Sequence, residues 1–165
     1  MACELQRTPQ SRSATMVHFH PQNGTGSNTT GSPHGTEPLP CVLLVEDDLA
    51  ARWLMRNALK GRCQLISASS GEEALKAYRL HRPEVVVLDY RLPQQSGDVV
   101  LDMILDEDPN ACIITMSGEE NIEAMKAMIA AGARGMLTKP FSKEEFLRLV
   151  LGDGTQSTFF TKGDE

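Results

Sequence analysis

Four short apolar runs in this chain lead into residues that can do chemistry. Cys41–Val45 is followed by Glu46 and Asp47, and Val85–Leu88 by Asp89. Ala111–Met116 is followed by Ser117, and Met136–Leu137 leads into Lys139. If the runs are parallel strands of one sheet, three carboxylates, a hydroxyl and an ammonium gather on one edge. Three crowded carboxylates repel one another and call for a cation. Their hard oxygens suit Mg²⁺ with several waters retained, with Mn²⁺ as the alternative. A carboxylate can also attack phosphorus and become an aspartyl phosphate. A cation on one side of the phosphoryl group and Lys139 on another would offset the developing oxyanion charge. The Ser117 hydroxyl could then donate to a phosphate oxygen. No single one of these residues is diagnostic, since an isolated Asp can simply cap an element and an isolated Lys is usually a solvated charge. Their joint placement at four strand ends carries the signal.

The elements that must position them follow from hydrophobic periodicity. Runs that are apolar on both faces read as buried parallel strands, each followed by a helix. The reading gives strands at Cys41–Val45, Gln64–Ala68, Val85–Leu88, Ala111–Met116 and Met136–Leu137. Asp48 caps a helix to about Lys60, with Leu54 and Ala58 on its inner face and Trp53 packing on it. Ser70 opens a helix to about His81, with Glu73 at the capping-box position. Further helices span about Asp98–Glu107, Glu120–Ala131 (Ile122, Met125, Met128 and Ile129 on one face, read as core) and Ser142–Leu151, with Glu145 in a second capping box. Five β-α units with right-handed crossovers predict an α/β, doubly wound (βα)5 three-layer sandwich. Ligands of such sheets sit beyond the carboxyl ends of the strands.

Composition bounds the rest. The 165 residues carry a formal charge of −6, and Glu4, Glu37, Arg7 and Arg12 cancel within residues 1–40. With no basic stripe, direct nucleic-acid binding is not expected. Cys3, Cys41, Cys63 and Cys112 form no C-x-x-C pair or metal-ligand spacing and read as reduced thiols of a cytoplasmic protein. No apolar run is long enough to cross a bilayer. Residues 1–40, rich in Pro, Gly, Ser, Thr and Asn, read as a disordered N-terminal tail in which His18, His20 and His34 are solvated. The matches to N-x-[ST] at Asn23 and Asn28 are cheap in such a tail. Residues 41–151 form the ordered domain, and 152–165 read as a flexible C-terminal tail too short for an output domain.

The segments VLLVEDD (42–48), VVVLDYRLP (85–93), IITMSG (113–118) and GMLTKPF (135–141) closely resemble the receiver domain of two-component response regulators. The resemblance implies a flavodoxin-like sheet of strand order 2-1-3-4-5. It implies that Asp89 is the phosphoacceptor, Asp47 a direct metal ligand, and Glu46 an acidic neighbour acting through water. The backbone carbonyl of Arg91 would complete the metal site. Ser117 corresponds to the switch hydroxyl and Lys139 to the lysine that pairs with the phosphoryl group, with a cis bond at Lys139–Pro140. The implied partners are a sensor histidine kinase or histidine phosphotransfer protein, and a downstream protein on the face of the fourth helix, fifth strand and fifth helix. Arg91 and Glu119 would flank the entrance. One position departs from the family: Met136 stands where a Tyr or Phe commonly couples to phosphorylation.

Two other classes share some of these residues. A haloacid-dehalogenase-type enzyme also forms an aspartyl phosphate, but resembles D-x-D at its nucleophile, whereas this chain has Asp89-Tyr90-Arg91. A pseudo-receiver that no longer cycles would be expected to have lost part of the acidic, hydroxyl and lysine set, which is intact here. A stand-alone regulator, a phosphorelay intermediate and a fragment of a hybrid kinase all fit the sequence.

Overall fold

The computed structural model describes residues 38–152, so the two tails read from sequence lie almost wholly outside the described residues. Within them the order is β1 (Cys41–Val45), α1 (Leu49–Leu59), β2 (Gln64–Ala68), α2 (Gly71–His81), β3 (Val85–Asp89) and α3 (Gly97–Glu107). Then come β4 (Ile113–Gly118), a 3-10 turn (Glu119–Asn121), α4 (Ile122–Ala131), β5 (Gly135–Lys139) and α5 (Lys143–Leu151). All strand pairs are parallel, in the order β2-β1-β3-β4-β5. This is the doubly wound five-stranded sheet expected from the pattern.

Strand alternation sorts the core into two layers. Leu43 and Val45 of β1 pack with Val86 and Leu88 of β3, Leu101 and Ile104 of α3, and Met128 of α4. Val42 and Leu44 face the other way, with Val87, Ile114, Met116, Met55 and Leu59 of α1, and Phe146 and Val150 of α5. Burying each large side chain contributes roughly 1.5–3 kcal/mol. The central strands are therefore the most deeply buried part of the described residues.

Helix starts are set by local hydrogen bonds. Asp48 accepts from Ala51 N at 2.7 Å and fixes the phase of α1. That phase puts Met55 and Leu59 inside, and leaves Leu54 62% and Trp53 64% exposed. Sequence reading placed Leu54 inward and Trp53 in packing. Both are corrected, because one residue of helix turns a side chain by about 100° and Met55, not Leu54, meets the sheet. Ser142 and Glu145 form the expected capping box. At α2, Ser70 accepts from Glu73 N, but the Glu73 carboxylate reaches Ser69 instead of closing on Ser70. The fourth helix begins later than expected, after the 3-10 turn. Lys139–Pro140 is cis. Cys41, Cys63 and Cys112 are free thiols. Met125 and Met128 are core residues, as read.

Candidate functional site

The polar residues singled out by type meet at the carboxyl edge of the sheet. Glu46 directly follows β1, its N–H donating to Ala68 O at 3.1 Å. Its side chain is buried, and Oε1 accepts from Asp48 N at 3.2 Å. Arg52, one turn into α1, donates to the Glu46 carbonyl at 2.8 Å. Asp89 ends β3, buried, with Oδ1 accepting from Arg91 N at 3.3 Å. The backbone beyond it is held on both sides: Tyr90 N donates to Met116 O at 2.9 Å, and Gly97 N to Tyr90 O at 2.7 Å. Gly97 is required there. A Cβ would stand 2.5 Å from Asp89 O and 2.8 Å from Tyr90 Cα, both unyielding backbone atoms.

Lys139 closes the site from β5. Its Nζ donates to Glu46 Oε2 at 2.7 Å and to Asp89 Oδ2 at 2.8 Å. Burial works against the ammonium, but the hydrogen bonds to Asp89 and Glu46 outweigh it and hold Lys139 above the ordinary lysine range. Burial pushes Glu46 up, its bond to Lys139 pulls it partly back, and the neighbouring Asp89 charge adds to the rise. A buried ion pair is weak evidence for stability, since desolvation opposes the attraction. Its presence here points to function.

Asp47 is exposed beside this pair. Glu46, Asp47 and Asp89 each offer a carboxylate oxygen, and these oxygens lie within 4.8 Å of one another. Three carboxylates and one ammonium leave two formal negative charges, which one divalent ion would neutralise. The all-oxygen donor set therefore fits Mg²⁺ or Mn²⁺ and not a soft metal.

Glu46, Asp47, Asp89 and Lys139 thus converge as read from sequence. Ser117 shares the edge, since its neighbour Gly118 is in register with Lys139. It is buried, and its Oγ accepts from Asn121 Nδ2 at 2.9 Å. Arg91 sits at the rim with its N–H on Asp89, and its guanidinium pairs with Glu120 at 2.9 Å. The expected entrance residue Glu119 only begins the 3-10 turn, and Glu120 makes the contact instead. Asn121 and Gly97 escaped sequence reading. The available signals were an Asn just before a helix and a Gly opening one. Met136 is half-buried, in register with Thr115, whose buried hydroxyl has no partner among the described residues.

A family model, the response regulator receiver domain, matches residues 42–151. The chain belongs to this family. This receiver domain is 35% identical over 110 residues to the chemotaxis protein CheY of Halobacterium salinarum, covering 66% of the chain and 92% of that protein. It is 32% identical over 108 residues to the DNA-binding transcriptional regulator NtrC of Klebsiella pneumoniae, covering 65% of the chain but 23% of that regulator. The chain thus spans less than a quarter of NtrC and nearly all of CheY. Among solved structures, the receiver domain of NtrX from Brucella abortus superimposes with a TM-score of 0.61 at 29% identity, covering 64% of this chain and 91% of that one. Among the described residues no helix is long and apolar enough to cross a membrane.

Proposed function

We propose that this receiver domain accepts a phosphoryl group on Asp89 in a Mg²⁺-dependent reaction and signals through protein contacts. The observation that carries the reading is the Lys139 ammonium bridging buried Asp89 and Glu46, with Asp47 open beside them. Asp47 and Asp89, the backbone carbonyl of Arg91, and Glu46 through water would hold the ion. Bound there, it would supply charge neutralisation at the phosphoryl oxygens. The chain's own residues do the rest. Lys139 and the Arg91 N–H each hold one oxygen of the Asp89 carboxylate and so orient it toward the open side. A carboxylate oxygen of Asp89 bonds to phosphorus as the donor's P–N bond breaks, the donor being a phosphohistidine of a sensor kinase or phosphotransfer protein. Lys139 then pairs with a phosphoryl oxygen, and the Ser117 hydroxyl donates to another.

The donor seats against α1, the helix that follows Glu46–Asp48, where Leu49 and Trp53 are exposed one turn apart. The downstream protein binds the α4–β5–α5 face. The domain acts in the cytoplasm as a signalling phosphoacceptor that supports its own phosphorylation and dephosphorylation, without contacting nucleic acid or inserting in a membrane. Incubation with Mg²⁺ and acetyl phosphate should label the parent and not Asp89→Asn; equal labelling of both refutes the assignment. A phosphotransfer screen against candidate kinases then identifies the donor.

A further inference from the structure

Asn121 stands immediately before α4, where an asparagine ordinarily caps a helix by accepting from a backbone N–H two or three residues on. Here its side chain makes no cap bond, and its backbone, at φ −110° and ψ 17°, is not the extended conformation of a cap. Asp48, Ser70 and Ser142, by contrast, all cap their helices. The Asn121 amide is used elsewhere, with Nδ2 donating to Ser117 Oγ at 2.9 Å. The same nitrogen lies 3.3 Å from Glu120 Oε1, an oxygen that only accepts, which fixes the orientation of the amide. Glu120 also holds the Arg91 guanidinium, and the Arg91 N–H is on the Asp89 carboxylate. A continuous set of polar contacts therefore joins Asp89 to Ser117 through the turn that opens α4.

We propose that Asn121 is a positioning residue that couples Ser117 to α4 by exchanging one hydrogen bond for another. The proposal rests on the reading of Asp89 and Ser117 given above. In the unmodified protein the amide holds the Ser117 oxygen, and the 3-10 turn Glu119–Asn121 keeps α4 uncapped by this side chain. When Ser117 swings toward a phosphoryl group on Asp89, its oxygen leaves the amide. Asn121 then turns into the cap position, and its side-chain oxygen accepts from the N–H of Glu123 or Ala124. The turn has two discrete arrangements, and occupation of Asp89 biases them. This supplies a route to α4 that needs no aromatic residue at position 136.

Two substitutions separate the two bonds. Asn121→Ser can cap the helix but is too short to hold Ser117; Asn121→Ala can do neither. The full chain would be studied with Mg²⁺, with and without beryllofluoride, by amide hydrogen exchange at Glu123 and Ala124, with bound beryllofluoride followed by its own fluorine resonance. In the parent, beryllofluoride should raise protection at one of these amides about five-fold, the scale of one cap bond. Asn121→Ser should show that protection without beryllofluoride, and Asn121→Ala in neither condition. Acetyl phosphate should label both variants faster than the parent, because Ser117 is no longer held back. A bound fluorine signal with unchanged exchange in the parent, or Asn121→Ser behaving as the parent does, would overturn the coupling alone. Absence of any bound signal in the parent would overturn the Asp89 reading and the coupling with it.

Discussion

Replacing Asp47 with Asn removes one of three crowded carboxylates and leaves the Lys139 bridge in place. Its charge faces two carboxylates with oxygens within 4.8 Å, partly offset by one ammonium, so it meets about one net negative charge. At that separation a unit repulsion is about 0.9 kcal/mol in water and about 3.5 kcal/mol at an effective dielectric of 20. Asp47 is exposed, which favours the lower part of the range. Asp47→Asn should therefore stabilise the metal-free protein by about 1–2 kcal/mol, raising its Tm by roughly 4–10 °C for a domain of this size. Mg²⁺ should reverse the order. The parent gains stability as the logarithm of the ion concentration over its Kd, and a variant without the proposed ligand gains far less. Urea or thermal unfolding with chelator, and then across a Mg²⁺ series, reads both effects. The two stability curves should cross. A variant less stable than the parent in chelator refutes the electrostatic reasoning, and one that gains as much from Mg²⁺ refutes the ligand role.

Three further outcomes are expected. Gly97→Ala ordinarily would favour a helix, but here its Cβ meets Asp89 O at 2.5 Å, so urea unfolding should show a loss of about 1–3 kcal/mol, and a gain would refute the close approach. Tyr78 is pushed up to about 12, first by burial and then by its bond to Asp108 at 2.8 Å. A folded pKa above the unfolded value near 10 means that its contribution is complete below about pH 10 and lost as pH rises toward 12. Tyr78→Phe should lack that component, worth on the order of 1–2 kcal/mol after solvent screening, and an identical alkaline stability profile in both proteins would contradict it. Ser142→Ala removes the hydroxyl half of the α5 capping box and should cost about 1 kcal/mol in thermal unfolding, whereas Ser96→Ala, at a start with no side-chain cap bond, should cost much less.

The sheet was legible because β1, β3 and β4 are buried on both faces, and continuous apolar runs have few other uses. The acidic and lysine positions were legible because parallel strands place their carboxyl ends together. Helix phase was harder. Leu54 and Met55 are both apolar and adjacent, and the Asp48 cap together with the packing of Met55 and Leu59 sets which turns inward. Asn121 was invisible for a related reason: a helix read as starting at about Glu120 puts it inside the helix, and its actual bond to Ser117 depends on the 3-10 turn that no periodicity marks. The Glu120–Arg91 pair joins the 3-10 turn to the loop after β3, and that geometry does not follow from spacing alone.

The bridge from Lys139 to Glu46 spans 93 residues of chain. During synthesis, all three carboxylates leave the ribosome long before the ammonium that bridges two of them. A nascent chain that has paired β1 with β3 already holds the acids close, with no ammonium among them and with the β4 position of the sheet unfilled. The last strand therefore does more than extend the sheet: it arrives as a built-in counterion. Chains that stop before β5 lack both the edge strand and the ammonium, and should fold poorly.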